Sequence, residues 1–248
     1  MQLVIRAQGL VKSFRGTKAV AGVDLVVAPG ERVALLGPNG AGKTTTLLML
    51  LGVITPDIGT VELLGHALPR ERSEAMERVG FAAGYLPLPS RMKVYEVLRL
   101  FGDLYGVDDI DTRIQDGLAR FDIGHLAEAK ADELSSGQRT LIGIVKSVMH
   151  HPALLVLDEP TASLDPDVAL RVRSGLREIS EEEGTALLVT SHDMLEVERL
   201  CDRVVFIAQG TVVADGLVDE ITAEHGHDSL EQMFLHLAAE HRSTERRA

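Results

Sequence analysis

The segment from residue 33 to residue 50, VALLGPNGAGKTTTLLML, constrains the fold of this chain more than any other stretch. Apolar residues come first, a glycine-rich stretch follows, and leucines at helical spacing end the segment. This order predicts a strand, a phosphate-binding loop and a helix. The alternative is a glycine-rich turn that merely joins a strand to a helix. The complete G-x-x-x-x-G-K-T pattern favours the loop, and with it a nucleotide-binding protein.

The residue types in this loop suit the phosphate groups of a nucleotide. Glycines allow backbone angles at which successive N–H groups converge on an anion, and the following helix adds the positive end of its dipole. Lys43 can place a positive charge against the β- and γ-phosphates, and Thr44 can offer a hydroxyl to Mg²⁺. The predicted nucleotide-binding residues of the loop are Gly37, Pro38, Asn39, Gly40, Ala41, Gly42, Lys43, Thr44 and Thr45.

Composition narrows the class of protein. The chain has 248 residues and a formal net charge of −12, and its Lys and Arg residues are scattered rather than gathered into a stripe. This distribution argues against a nucleic-acid partner. The longest apolar stretch, near residues 47–54, is too short to span a bilayer, and the start of the chain does not resemble a signal peptide. We therefore expect a soluble cytosolic chain, in which Cys201, the single cysteine, excludes a disulfide framework.

Strand and helix patterns predict an α/β fold with a P-loop NTPase core and a mostly parallel sheet. The apolar run of residues 153–157 is typical of a strand buried on both faces, and strands at residues 3–7 and 23–27 predict an antiparallel β edge. Residues 85–150 have mainly helical spacing, which predicts an inserted helical subdomain. The predicted boundaries are 1–84 and 151–220 for the core, 85–150 for the helical subdomain and 221–248 for a C-terminal helical tail.

Polar residues follow three of the predicted core strands and are expected to face one crevice, because ligands of open parallel sheets bind beyond the carboxyl ends of the strands. Besides the glycine-rich loop, these residues are Asp158, Glu159 and His192. Asp158 can bind Mg²⁺ together with Thr44, and Glu159 can orient or deprotonate the attacking water. The alternatives are that the two carboxylates only cap a turn at Pro160 and that the histidine is structural.

For two further features, a short polar segment and an aromatic residue, the residues alone leave a binding role and a structural role open. Ser135, Ser136, Gly137 and Gln138 precede a predicted helix, where small residues suit an anion site but also an ordinary N-cap. Phe14, in a polar loop, can stack on a purine base or pack in the core.

Taken together, these residues resemble the ATP-binding subunits of ABC transporters over almost the whole chain. The glycine-rich loop, the string LSSGQ ending at Gln138, LLVLDEP followed by Ser163, Leu164 and Asp165, and TSH ending at His192 stand in the order and spacing of that family. The resemblance implies ATP and Mg²⁺ as cofactors.

The same resemblance assigns roles to single residues. It implies that Phe14 stacks on adenine, Asp158 is the magnesium-side carboxylate, Glu159 is the catalytic base and His192 is the switch histidine. It also groups Asp165 with the nucleotide-binding residues. In this family, the residues matching Ser135 to Gln138 of one subunit close over the nucleotide held by the other.

The resemblance further implies the partners and the location. It implies a head-to-tail dimer of two ATPase subunits, a separate transmembrane permease chain, and a cytoplasmic location at the inner face of the cell membrane. The apolar loop of residues 85–89 and the helix after it are the expected docking surface for the permease. The string SLEQMFLHL, residues 229–237, is similar to the short amphipathic ending of export ATPases, although any amphipathic terminal helix has this pattern.

Two positions depart from the family pattern. Gly84 stands where the family usually has a glutamine that touches Mg²⁺ and the attacking water, and Ser136 stands where glycine is commoner. A glycine at residue 84 predicts slower hydrolysis or a different coupling to the partner, unless the register is wrong.

We therefore predict an ATPase subunit that powers a permease, with export as the expected direction. A soluble regulatory ATPase of the same superfamily and a slow-hydrolysing, ATP-dependent dimerisation switch are the alternatives.

Overall fold

The computed structural model describes residues 2–84, 86–162, 164–224 and 226–245. Two sheets and nine α-helices form its described part, together with one short 3-10 helix at Gly124–Leu126. The strands are β1 (Ile5–Phe14), β2 (Thr17–Val27), β3 (Arg32–Leu36), β4 (Ile58–Leu63), β5 (His66–Leu68), β6 (Val79–Ala83), β7 (Leu154–Asp158), β8 (Ala186–Thr190), β9 (Arg203–Ala208) and β10 (Thr211–Leu217). The helices are α1 (Lys43–Leu50), α2 (Arg72–Met76), α3 (Val94–Tyr105), α4 (Ile110–Arg120), α5 (Ser136–Val148), α6 (Pro166–Glu183), α7 (Met194–Leu200), α8 (Val218–Glu224) and α9 (Leu230–Glu245).

The larger sheet has six strands in the order β10-β9-β3-β8-β7-β6. All neighbouring pairs are parallel except β9 and β10, which form an antiparallel hairpin. The smaller sheet is antiparallel, with the order β2-β1-β4-β5. The predicted mostly parallel sheet with an antiparallel β edge is therefore confirmed, and the edge is a separate four-stranded sheet.

The central strands are apolar on both faces because each face packs against its own layer. Along β7, Leu155 and Leu157 join one buried cluster, and Leu154 and Val156 join another. This division follows from the two-residue period of a strand. The first cluster holds the helices α3, α4 and α5, and the second holds the antiparallel sheet and α1. A continuous apolar run is what such a strand requires.

The helices of the predicted inserted subdomain share a core with the large sheet. Leu98 of α3, Ile114 of α4 and Leu141 of α5 are buried in the same cluster as Leu155 and Leu157. The domain boundaries stay predictions: the one at residue 85 falls outside the described residues, and the one at residue 221 falls within α8.

The amphipathic C-terminal string packs on this chain's own core. Leu230, Met233 and Leu237 of α9 are buried in the first cluster, and the Phe234 ring meets the Phe206 ring edge-on, with centroids 5.4 Å apart. Residues 225 and 246–248 of the predicted tail lie outside the described residues. Within the described ranges, no helix is both long enough and apolar enough to cross a bilayer.

Candidate functional site

Three strand ends of the large sheet meet at one crevice, as the sequence predicts. Asp158 ends β7 and pairs in register with Thr190, the last residue of β8. The crevice has a volume of about 340 Å³, which falls within the range of small-molecule sites, about 300–1,000 Å³. Its lining residues are Ala19, Asn39, Gly40, Ala41, Gly42, Lys43, Thr44, Thr45, Asp158, Glu159 and His192.

Two glycines let the loop between β3 and α1 pass very close to neighbouring backbone. Gly37 has a φ of +148°, and a Cβ built on it would lie 2.0 Å from the carbonyl oxygen of Ile207 in β9. Gly42 has a φ of +104°, and its Cβ would lie 2.4 Å from the carbonyl oxygen of Ala19 in β2. Only residues without a side chain fit at these two places. The loop is thus held between the two sheets, with the first turn of α1 directly behind it.

Lys43 lies at the start of α1, folded against the loop. Its Nζ donates hydrogen bonds to the carbonyl oxygens of Gly37, at 2.5 Å, and Pro38, at 3.2 Å. Burial lowers the pKa of Lys43, and the nearby carboxylates of Glu159 and Asp158 act in the opposite direction. The ammonium group therefore stands between the phosphate-binding loop and two acidic side chains, where an anion can take the place of the carbonyl contacts.

Asp158 and Thr44 both offer oxygen ligands to the crevice. Asp158 Oδ1 accepts a hydrogen bond from Thr190 Oγ1 at 2.5 Å, which ties the ends of β7 and β8 together. Both Asp158 and Thr44 line the crevice, and Thr44 is exposed to it. A carboxylate and a hydroxyl are hard oxygen donors of the kind that Mg²⁺ binds together with phosphate oxygens and water. The donor set therefore fits the implied ion.

Glu159 and His192 face each other across the crevice. His192 Nε2 lies 3.0 Å from Glu159 Oε1. The Glu159 backbone N–H donates to the carbonyl oxygen of Thr190 at 3.1 Å and to its Oγ1 at 3.2 Å. Burial raises the pKa of Glu159, and the neighbouring His192 acts in the opposite direction. A carboxylate with a raised pKa is a stronger base than an ordinary one, which suits proton abstraction.

Other predicted site residues lie outside this crevice. The four residues Ser135 to Gln138 start α5, where Ser135 Oγ accepts from the Gln138 N–H at 3.2 Å and Gln138 Oε1 accepts from the Ser135 N–H at 2.9 Å. They therefore form a capping box, which agrees with the N-cap explanation and leaves their contact with nucleotide a prediction. Asp165 precedes α6 as its N-cap residue. Ser163 lies outside the described residues.

Phe14 ends β1 in an open position. Its side chain is 44% exposed, and Lys12 Nζ lies 5.8 Å from the ring centroid. Core packing therefore does not explain this aromatic residue, and stacking on a base stays a prediction.

Gly84 follows the end of β6, the strand beside β7. Ala83 pairs with Asp158, so that the next residues, Gly84 and Glu159, leave the sheet side by side. A Cβ on Gly84 would meet only Thr140 Oγ1, at 3.5 Å, which is ordinary contact. Gly84 therefore follows the carboxyl end of β6 beside Glu159, as the register predicts, although it is not among the residues that line the crevice.

Glu196 on α7 is a buried carboxylate that was not among the residues predicted from the sequence. Its two oxygens accept hydrogen bonds from Thr161 Oγ1 and Ser191 Oγ, both at 2.5 Å. The available signal was Asp193-x-x-Glu196, the spacing of a capping box. Half of that motif forms, because Asp193 Oδ1 accepts from the Glu196 N–H at 3.2 Å. The glutamate side chain instead binds the two hydroxyls, a contact that the spacing does not predict.

Comparison with known proteins identifies the family. The profile of the family described as ABC transporter matches residues 20–162. The chain is 38% identical over 223 residues to the Nod factor export ATP-binding protein I of Paraburkholderia xenovorans, which covers 89% of this chain and 73% of that protein. It is 34% identical over 229 residues to the daunorubicin resistance ATP-binding protein DrrA3 of Streptomyces coeruleorubidus, covering 92% of this chain and 72% of that one.

A solved structure described as the ATP-binding subunit of an ABC transporter has the same fold. It superimposes with a TM-score of 0.88 at 26% identity, covering 94% of this chain and 99% of the other. These similarities agree with the site itself, in which the strand-loop-helix segment of residues 33–50 and the acidic end of β7 meet in one crevice. The chain therefore belongs to the ABC transporter family, as one of its ATP-binding, ATP-hydrolysing subunits.

Proposed function

We propose that ATP binds in the crevice and that Glu159 acts as the base of its hydrolysis. The backbone N–H groups of the loop of residues 37–42 and the Lys43 ammonium bind the phosphates, and Thr44 and Asp158 hold Mg²⁺, which neutralises phosphate charge when bound. Glu159 takes a proton from the water that attacks the γ-phosphorus, and the bond to the leaving ADP oxygen breaks. His192 holds the Glu159 carboxylate in place and contacts the γ-phosphate.

The contact between His192 Nε2 and Glu159 Oε1, at 3.0 Å and opposite Lys43, carries this proposal. A cap of the turn at Pro160 would satisfy a backbone N–H of that turn, whereas the Glu159 carboxylate lies against both the imidazole and the backbone N–H of His192, on the neighbouring loop. A general base must lie within hydrogen-bond reach of the water that it deprotonates. The crevice beside the phosphate-binding loop offers the volume for that water.

Glu159→Gln tests the assignment. Because the amide has the size of the carboxylate but cannot accept the proton, we expect ATP hydrolysis to fall by roughly 10²–10⁴-fold while ATP still binds. Steady-state phosphate release and equilibrium ATP binding are the measurements, and Glu231→Gln, an exposed position on α9, is the control. Unchanged turnover in Glu159→Gln would remove Glu159 from this role.

We propose that the chain works as a head-to-tail dimer that drives a separate transmembrane permease, in the direction of export, from the cytoplasmic face of the membrane. ABC ATP-binding subunits work with such permeases, and the named relatives serve Nod factor export and daunorubicin resistance. In the dimer, the start of α5 in one subunit closes over the ATP of the other, with Asp165 near the interface and Phe14 on the adenine.

The permease docking surface is proposed on α3. The predicted loop begins at Tyr85, outside the described residues, and Leu88 of that loop packs against the core. Leu104 of α3 is 71% exposed and Leu100 is 40% exposed, which leaves an apolar face on this helix. We expect Leu104→Glu to abolish copurification with the permease and Leu235→Glu, on α9 and 56% exposed, to preserve it. Retained complex formation in Leu104→Glu would contradict this surface.

A dimerisation switch that hydrolyses ATP slowly is the second candidate, and Gly84 is the observation that favours it. Glycine has no side chain to contact the water near Glu159. Turnover of the protein with its permease separates the two functions: a switch would dimerise with ATP but release phosphate no faster than the Glu159→Gln variant.

A further inference from the structure

Glu196 joins the two loops that carry the facing residues of the crevice. Its side chain is only 1% exposed, and each carboxylate oxygen accepts a hydrogen bond from a different loop. Thr161, which donates to Oε1, lies two residues after Glu159, and Ser191, which donates to Oε2, lies directly before His192. Burial raises the pKa of Glu196, and the hydrogen bonds from Ser191 and Thr161 act in the opposite direction. Glu196 thus links the two sides of the Glu159–His192 contact.

The backbone of Glu159 requires such support. Its φ is +53°, in the left-handed region that residues other than glycine rarely adopt. It also precedes Pro160, and a residue before proline favours an extended conformation. Strained backbone of this kind costs about 1–3 kcal/mol and persists only where its surroundings hold it. On the N-terminal side, the Glu159 N–H is held by Thr190. On the C-terminal side, the Glu159 carbonyl oxygen accepts from the Ala162 N–H at 3.4 Å, and Thr161 is anchored on Glu196.

The remaining hydrogen bonds of this cluster tie it to the start of α7. Ser191 Oγ also accepts from the Asp193 N–H at 3.1 Å, and Asp193 caps α7. The carboxylate therefore connects the segment after β7, the segment after β8 and the helix that follows. Together with the hydrogen bonds from Thr190 to Asp158 and from the Glu159 N–H to Thr190, it couples a movement of one segment to the other.

We propose that Glu196 is a positioning residue that sets the distance between Glu159 and His192 by holding Thr161 and Ser191 together. The inference rests on the proposed role of Glu159 as the base. The carboxylate acts through the two hydroxyls and does not touch the nucleotide. Loss of either hydroxyl breaks the link, so that Glu159 relaxes toward ordinary backbone angles and the base leaves its place.

Removing the hydroxyls one at a time tests this link with little change in volume. We expect Thr161→Val and Ser191→Ala each to lower kcat on the order of 10²-fold, since a displacement of about 1 Å has this effect on a positioned group. Because either change breaks the same link, the double variant should lose no more than the more affected single variant. Two independent local effects would instead multiply.

Three controls separate positioning from general stability. Thr161→Ser keeps the hydroxyl and should restore kcat, and Leu195→Ala, at a position 60% exposed on the same helix, should change nothing. The KM for ATP should stay within a few-fold in every variant, because the phosphate-binding loop is untouched. Thermal unfolding of each variant shows whether the protein is folded at the assay temperature.

The inference is overturned if Thr161→Val keeps wild-type kcat, if Thr161→Ser fails to restore it, or if the losses multiply. It is also overturned if only the unfolding temperature falls. The Glu159→Gln variant is measured in the same series. If Glu159→Gln is inactive while the hydroxyl variants are active, Glu196 alone loses its role; if Glu159→Gln is active, the proposed base is wrong.

Discussion

Gly42→Ala should distort the phosphate-binding loop, because the new methyl group has no room. Its Cβ would lie 2.4 Å from the Ala19 carbonyl oxygen, whereas ordinary contact begins at 3.4 Å. The loop cannot simply retreat from β2. The Gly210 N–H donates to the Ala41 carbonyl oxygen at 2.9 Å, and the Ala21 N–H donates to the Gly210 carbonyl oxygen at 2.7 Å. The loop and the strand that it would collide with are thus fixed to the same turn.

The loss of stability in Gly42→Ala has two parts, and the same substitution at a second glycine separates them. An alanine at φ +104° costs about 1–3 kcal/mol in backbone strain, and the collision adds about 1–3 kcal/mol. Gly40 also has a positive φ, +80°, but a Cβ on it would meet nothing within 4 Å. Gly40→Ala therefore carries the strain alone. We expect the free energy of unfolding of Gly42→Ala to be lower than that of Gly40→Ala by about 1–3 kcal/mol.

Thermal unfolding and ATP binding measure the difference. In a domain of this size, about 1 kcal/mol corresponds to roughly 2–4 °C, so Gly42→Ala should unfold about 2–12 °C below Gly40→Ala. It should also bind ATP more weakly than Gly40→Ala, because relief of the collision moves the N–H groups before α1 by about 1 Å. Equal unfolding temperatures and equal ATP affinities in the two variants would refute the close approach of the loop to Ala19.

Two further predictions concern Gly84 and the interior of the helical region. In Gly84→Gln, the new Cβ meets only Thr140 Oγ1 at ordinary contact, so the free energy of unfolding should stay within about 0.5 kcal/mol of the wild-type value. The added amide beside Glu159 should raise ATP turnover. A lower turnover would contradict the place assigned to this residue. His150 stacks on Tyr105 with ring centroids 4.0 Å apart, and burial lowers its pKa. Because the pKa of His150 is lowered in the folded protein, its contribution to stability is present above the ordinary value of 6.5 and is lost as the pH falls from there. Denaturant unfolding of His150→Phe should therefore be less sensitive to acid than that of the wild type. Equal sensitivity of the two proteins would show that His150 does not contribute.

The parts of the site that follow from local sequence were predictable. The strand, loop and helix of residues 33–50 depend on apolar period and glycines that are adjacent in the chain, and Asp158 and His192 follow from strand ends. In contrast, the role of Glu196 depends on two hydroxyls from loops about 30 residues apart, which only the folded sheet brings together. The spacing Asp193-x-x-Glu196 marks this glutamate as a member of a capping box, but it does not predict a contact with the two hydroxyls.

Some features of the fold also depend on distant residues and are not predictable from local sequence. The sequence predicted a β edge, but β5 has only three residues, too few for an alternating pattern, and its place in a second sheet depends on pairing with β4. The loop of residues 85–89 was predicted to be a docking surface, whereas the side chain of Leu88 in this loop packs against the core. Residues of loops take their burial from distant elements, which the sequence does not order in space.

The position of β3 has a consequence for synthesis of the protein on the ribosome. This strand carries the phosphate-binding loop, yet its partners in the sheet are β8 and β9, so Val33 pairs with Leu188 on one side and Arg203 on the other. Non-local pairing of this kind is slow, and a growing chain cannot make it until the later strand has emerged. We therefore expect the nascent chain to hold no ordered ATP site until nearly all of it has been translated. Binding of nucleotide would then mark a completed molecule.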